Sequence, residues 1–259
     1  MTMAKFGICT GPDKAPAAKA AGWDYIEGNV QSMFSGGTPD AAWGVRDADR
    51  DSALPIPAAN CLLPGDLKVT GPDVDAAKVD AYMANALARA GRQGTKTLVF
   101  GSGGARNVPE GFDRARAKEQ IVAFLKAAMP HAQKAGVTIV AEPLNRGECN
   151  IINSVGEAME YVRAVDHPNF QCLVDSYHFW LEREPLSNLE AAMPFIKHVH
   201  IADEQGRVAP GVSGNSDYRP FFRVLKNGGY DGNISIECKV TPEQYESVLA
   251  YIKREWAEA

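Results

Sequence analysis

Short apolar runs alternate with longer amphipathic ones along the chain. The apolar runs fall at 5–10, 25–28, 56–62, 97–100, 138–142, 171–175, 198–201 and 233–237, and most lack a clean polar/apolar alternation. Runs apolar on both faces predict strands of a parallel sheet covered by helices. Helical patterns lie between them. One is short, at 12–21; another, at 73–93, is opened by Pro72 and closed by Gly94. A third, at 113–134, is amphipathic and ends at Gly136. Ser154 with Glu157 reads as a capping box before 158–165, and Ser187 with Glu190 repeats it. Asp217 starts a further helix that stops at Asn227-Gly228-Gly229, and Thr241-Pro242-Glu243 starts the last. Eight strands, each followed by a helix, leave a closed barrel or a doubly wound open sheet. No GxGxxG follows the first strand, which weakens a dinucleotide-binding sheet. The count of eight selects an α/β fold, a single-domain (β/α)8 TIM barrel over residues 1–259. The stretch 31–51 is longer than most strand-to-helix connections. It reads as a lid over the site or a decorated loop with a short helix, and the lid is preferred because long loops in compact folds tend to be functional.

Composition narrows the class. With 45% hydrophobic and 23% charged residues the chain is an ordinary soluble globular protein. A net charge of -5 disfavours nucleic acid, whose phosphates need clustered Lys and Arg. No apolar run approaches the roughly 18 residues of a membrane span. The opening Met1-Thr2-Met3-Ala4-Lys5 lacks the apolar stretch of a signal peptide. Cys9, Cys61, Cys149, Cys172 and Cys238 are scattered, odd in number and without CxxC spacing, which reads as reduced thiols in the cytoplasm.

In such a barrel the site forms where strands end and the following loops begin. The first strand ends in Cys9-Thr10-Gly11 and the second in Glu27. The last four deliver Glu142, Asp175, His200 and Glu237 at nearly the same height. Carboxylates buried together without a counter-charge carry a heavy desolvation cost, which a divalent cation removes. Three carboxylates and one imidazole suit Mn2+, Mg2+ or Co2+ better than structural zinc, which favours thiolates. Each residue alone has an ordinary reading, such as Asp175 as a turn cap or His200 as a core histidine; the shared height of all four selects the metal. His198 has the parity of His200 and reads as packing one layer lower. His131 and His167 read as surface residues. Gly101-Ser102-Gly103-Gly104-Ala105-Arg106 is able to cradle a phosphate or carboxylate, but lacks P-loop spacing; a flexible turn lining the pocket is preferred.

These segments resemble the sugar isomerase/epimerase family of xylose-isomerase-like barrels, closest to ketose 3-epimerases of the tagatose and psicose type. The likeness is best from Val137 to Cys238. Glu142-Pro-Leu-Asn145-Arg146-Gly-Glu148 matches E-x-x-N-R-x-E. Asp166-His-Pro-Asn169 followed by Asp175-Ser-Tyr-His178 matches D-H-P-N and D-x-x-H. His198-Val-His200 and Arg207-Val-Ala-Pro210-Gly211 match H-x-H and R-x-x-P-G, and Gly229-Tyr-Asp-Gly232 with Ser235-Ile-Glu237 matches the ending before the last helix. The loop Ile201-Ala-Asp203-Glu-Gln-Gly206 departs from the epimerase pattern. The resemblance implies that Glu142, Asp175, His200 and Glu237 hold one metal ion, with Glu142 and Glu237 as the acid/base pair on opposite sides of the substrate carbon. It implies substrate contacts from Glu148, His178 and Arg207, a small-molecule carbohydrate as substrate, no further cofactor, and a homodimer or homotetramer.

Moving hydrogen beside a carbonyl means deprotonating a weak carbon acid, and a Lewis-acid metal stabilises the enediolate that develops. Epimerisation needs a second carboxylate to return the proton to the opposite face. One carboxylate moving the proton between adjacent carbons gives an aldose–ketose isomerase of hydroxypyruvate type. A metal-dependent lyase, either dehydratase or deglycosidase, would use the same ligands. A DNA-repair endonuclease with a trinuclear zinc site needs more histidines than the five here, none of which precedes His131. A non-catalytic sugar-binding protein is the remaining alternative.

Overall fold

A computed structural model describes residues 4–259; the first three residues, where the leader reading begins, lie outside the described residues. Eight parallel strands close into one barrel in sequence order, β1 pairing with both β2 and β8. They are β1 Lys5–Cys9, β2 Tyr25–Asn29, β3 Ala58–Asn60, β4 Thr97–Phe100, β5 Thr138–Ala141, β6 Phe170–Asp175, β7 Ile196–Ile201 and β8 Asn233–Ile236. The expected TIM barrel is therefore the fold. Strand β3 is shorter than its apolar run, because Pro57 has no N–H to donate and Cys61 turns to φ +56. Glu142 and Glu237 sit one residue past β5 and β8, and their N–H groups still donate to Phe100 O (3.2 Å) and Ile201 O (3.1 Å). That pairing fixes the height of both side chains.

The helices begin where short polar side chains cap them, though not always at the expected residue. The helix Ala76–Arg92 starts at Asp75, whose carboxylate accepts from Lys78 N, so Pro72 lies in the preceding loop. Arg114–Ala135 starts at Asp113 and stops at Gly136, whose φ of +64 lets the chain turn left-handed. Ser154 caps Val155–Val165 by accepting from Glu157 N, but Glu157 reaches back to Asn153 N rather than closing the box on Ser154. Ser187 is no cap: Leu186–Ala192 starts at Pro185, whose ring holds φ at -72. Asp217 caps Tyr218–Asn227, and Gln244 accepts from Thr241 N ahead of Tyr245–Glu258.

The apolar side chains sort into two regions. Most lie between the sheet and its helices in one continuous cluster. Inside the barrel, Val99, Val140 and Leu173 form a small separate cluster. Strand parity puts Tyr25, His198 and Ser235 on the same inner face. Tyr25 Oη and Ser235 Oγ are 2.7 Å apart there. Gly7 makes this possible, since a Cβ at that position would overlap the Tyr25 ring. All five cysteines are free thiols. Among the described residues no helix is long and apolar enough to cross a membrane.

The long connection after β2 carries three short helical turns: Val30–Met33, Asp40–Ala42 and Asp47–Arg50. Its first half is fixed to the outside of the barrel. The fully buried Arg89 donates to Phe34 O (2.8 Å), Ser35 O (2.8 Å) and Thr38 O (2.6 Å), and it lies under the Trp43 ring. Ser32 and Met33 from its first half and Arg46 from its second border the mouth. Arg46, held by both oxygens of Asp49, borders a cavity of about 340 Å³ that also includes Cys9, Glu27 and Asn60. The connection is thus an anchored, decorated loop with short helical turns that also borders the mouth.

Candidate active site

The C-terminal mouth of the barrel gathers the four strand-end residues. One donor atom from each of Glu142, Asp175, His200 and Glu237 lies within 4.8 Å of the others. His200 Nδ1 is 2.8 Å from Glu142 Oε1 and 3.4 Å from Glu237 Oε2. Gly101 at the end of β4 leaves space for the Glu142 carboxylate, because a Cβ there would overlap Oε2. Glu237 is gripped at both oxygens. Asn60 Nδ2 donates to Oε1 (2.9 Å) and Arg207 Nη2 to Oε2 (2.7 Å). Asp175 accepts from Tyr177 N through Oδ1, whereas its buried Oδ2 has no hydrogen-bond partner.

The residues proposed by resemblance to touch substrate lie on the same rim. Arg207, in the left-handed region at φ +48, reaches Glu148 Oε1 (3.2 Å) as well as Glu237, and its guanidinium covers the Tyr177 ring. Its loop is held by Asp203, which is fully buried and accepts from Gly211 N, Ser213 N, Ser213 Oγ and Tyr218 Oη. His178 Nδ1 accepts from Asn145 N (3.1 Å), so its Nε2 faces the site, 3.7 Å from Asp175 Oδ2 and without a hydrogen-bond partner. All seven sequence-predicted residues are thus brought to one mouth.

The electrostatics describe a site short of positive charge. Burial, reinforced by the charges of Glu237 and Glu142, pushes the Asp175 carboxyl up to about 7. Burial and Glu237 raise Glu142 as well. Burial also pushes Glu237 up, but His200 and Arg207 outweigh it and hold it at about 2. Burial works against the charged form of His200, yet the charges of Glu27, Glu237 and Glu142 raise it well above the usual histidine range. Three carboxylates, one imidazole and an orphaned buried Asp175 oxygen fit a divalent cation with oxygen and nitrogen ligands.

Several participants escaped the sequence reading. Asn60 was hidden because the run 56–62 placed it inside a strand, whereas β3 ends at Asn60. Glu27 stood at a strand end but gave no sign of what it meets. His198, read as packing, is buried and bound to Glu27 at 2.7 Å. Arg106 does not face a ligand. It is fully buried and donates to Phe100 O (2.8 Å) and Glu142 O (2.7 Å), which fixes the backbone of both strand ends. A cavity of about 620 Å³ beside Gln31, Thr38, Lys78 and Asn85 lies away from this cluster.

A model of the xylose isomerase-like TIM barrel family matches residues 15–255. The chain belongs to that family. The likeness to sugar isomerases and epimerases read from the motifs therefore holds. One relative, the 3-dehydro-D-guloside 4-epimerase of Escherichia coli (strain K12), is 32% identical over 127 residues, covering 47% of this chain and 48% of that protein. The ketose 3-epimerase of Arthrobacter globiformis is 28% identical over 131 residues, covering 49% of this chain and 45% of that protein. The chain thus matches about half the length of these relatives. In fold it is similar over nearly its whole length to the apo crystal structure of 3-keto-D-glucoside 4-epimerase from E. coli: TM-score 0.81 at 22% identity, covering 97% of this chain and 99% of that one.

Proposed function

We propose that this protein is a divalent-metal-dependent epimerase or isomerase that moves a proton next to a carbonyl in a small carbohydrate. The observation that carries the reading is the convergence of Glu142, Asp175, His200 and Glu237 within 4.8 Å at the barrel mouth. These four would hold one Mn2+, Mg2+ or Co2+ ion. When bound, such an ion acts as a Lewis acid toward the substrate carbonyl and its neighbouring hydroxyl.

The protein's own groups supply the proton transfers. Glu142 and Glu237 come from non-adjacent strands, β5 and β8, so a substrate carbon between them meets a carboxylate on each face. One takes the proton from carbon, and the other returns a proton from the opposite side. Asn60 and Arg207 hold both oxygens of Glu237 and keep that carboxylate from rotating away. Arg207, Glu148 and the unpartnered Nε2 of His178 form a polar rim suited to sugar hydroxyls. Two relatives named as epimerases favour inversion at carbon over loss of a leaving group.

The test is a panel of ketoses, inososes and hydroxypyruvate in D2O, followed by NMR. Deuterium should enter the carbon beside the carbonyl, stop after chelation and resume on adding Mn2+, Mg2+ or Co2+. Glu237→Gln should lower turnover by about 10²- to 10⁴-fold while the circular dichroism stays native. Near-normal turnover in that variant rules out the acid/base pair.

A further inference from the structure

Glu27, on β2, has no part in the ligand set above, yet it is only 1% exposed and engages two histidines. Its Oε2 lies 2.7 Å from His198 Nε2, and its Oε1 lies 3.0 Å from His200 Nε2. Burying a carboxylate so completely is costly unless its lone pairs are used. Both oxygens are in use here, and both partners are imidazole nitrogens of β7, two residues apart and on the same inner face. His198 Nδ1 is buried without a partner. A proton there would be an unpaired buried donor, so Nε2 is the nitrogen that donates, facing Glu27. His198 is thereby a donor that holds the Glu27 carboxylate from below.

That leaves the other Glu27 oxygen for His200. The His200 ring spans two environments: Nε2 faces Glu27, and Nδ1 faces Glu142 and Glu237. We propose that Glu27 is a positioning residue. It accepts the His200 Nε2–H, fixes the rotation and tautomer of the ring, and so aims the Nδ1 lone pair at the cation shared with Glu142, Asp175 and Glu237. The inference rests on the metal reading given under the proposed function. A ligating histidine whose second nitrogen is bound to a carboxylate is both oriented and made more basic, and removing such a partner costs 10- to 100-fold in metal affinity.

The experiment titrates Co2+ into the metal-free wild-type protein and into Glu27→Gln by calorimetry. Wild type should take one Co2+ per chain, and Glu27→Gln should take it 10- to 100-fold more weakly. In parallel, 15N-histidine NMR of the wild-type protein follows His200 as Zn2+, a diamagnetic probe, is added. Nδ1 should become the metal-bound nitrogen while Nε2 keeps its proton. This arm needs no variant, so a Glu27→Gln protein that does not fold leaves the proposal testable. Equal Co2+ affinity in wild type and a folded Glu27→Gln overturns the Glu27 assignment and leaves the proposed function standing. So does Nε2 as the metal-bound nitrogen, or a second Co2+ per chain that disappears in the variant, since that would make Glu27 a ligand. A wild-type chain that takes up no Co2+ at all instead overturns the metal reading, and the Glu27 role with it.

Discussion

Gly101→Ala isolates one methyl group at the heart of the site. Gly101 does not use the left-handed backbone reserved for glycine, so alanine fits its main chain and the change acts through Cβ alone. That Cβ would overlap Glu142 Oε2. Relief to ordinary van der Waals separation moves the carboxylate by about 1 Å, a displacement able to cost about 10²-fold in rate. It would also break the 2.8 Å contact between Glu142 Oε1 and His200 Nδ1. Overpacking of this kind destabilises by roughly 1–3 kcal/mol. For a domain of this size, each kcal/mol lowers Tm by about 2–4 °C. The protein should therefore remain folded at 25 °C with turnover down about a hundredfold and its Co2+ affinity weakened. Gly44→Ala is the control, since a Cβ there meets nothing within 4 Å, and it should be silent. The measurements are deuterium incorporation from D2O, Co2+ calorimetry and a thermal melt on all three proteins. Gly101→Ala with wild-type turnover and metal affinity would falsify the claim that Glu142 must occupy the space above Gly101.

Three further outcomes follow from the hydrogen bonds. Arg106→Met removes two buried charge-assisted bonds to Phe100 O and Glu142 O and should cost on the order of 3 kcal/mol, read from urea unfolding. Arg207→Lys replaces a fork that spans Glu148 and Glu237 with a single ammonium; KM should rise about tenfold or more, and by a larger factor than kcat falls. Arg89→Met frees the carbonyls of Phe34, Ser35 and Thr38, and limited chymotrypsin digestion should then cut near Phe34 or Trp43 far faster than in wild type. An unchanged digestion rate would show that other contacts anchor the segment.

Much of the candidate site could be read along the chain. Glu142, Asp175 and Glu237 each close an apolar run, His200 stands one residue before the end of its own, and the period of two puts them on the inner face. Strand ends in a barrel share one rim, so their convergence follows from local pattern once the fold class is set. The roles of Glu27, Asn60 and Arg106 do not follow in this way. Glu27 meets His198 across 171 positions, and Asn60 meets Glu237 across 177. No window of sequence contains both partners. The glycine run before Arg106 read as a flexible turn lining the pocket in preference to an anion cradle, but the single helical turn Gly103–Arg106 carries the arginine inward to backbone carbonyls.

The sequence alone determined which residues could be strand, helix or cap, because alternation, capping and proline geometry act over a few neighbouring residues. It also determined which chemical groups stand at the strand ends. Only the closed barrel decided which of those groups touch. Closure brings β2 and β3 opposite β7 and β8, and the stagger between strands sets the heights at which side chains meet. The bonds from Glu27 to both histidines and from Asn60 to Glu237 depend on that geometry, and it exists nowhere but in the folded sheet.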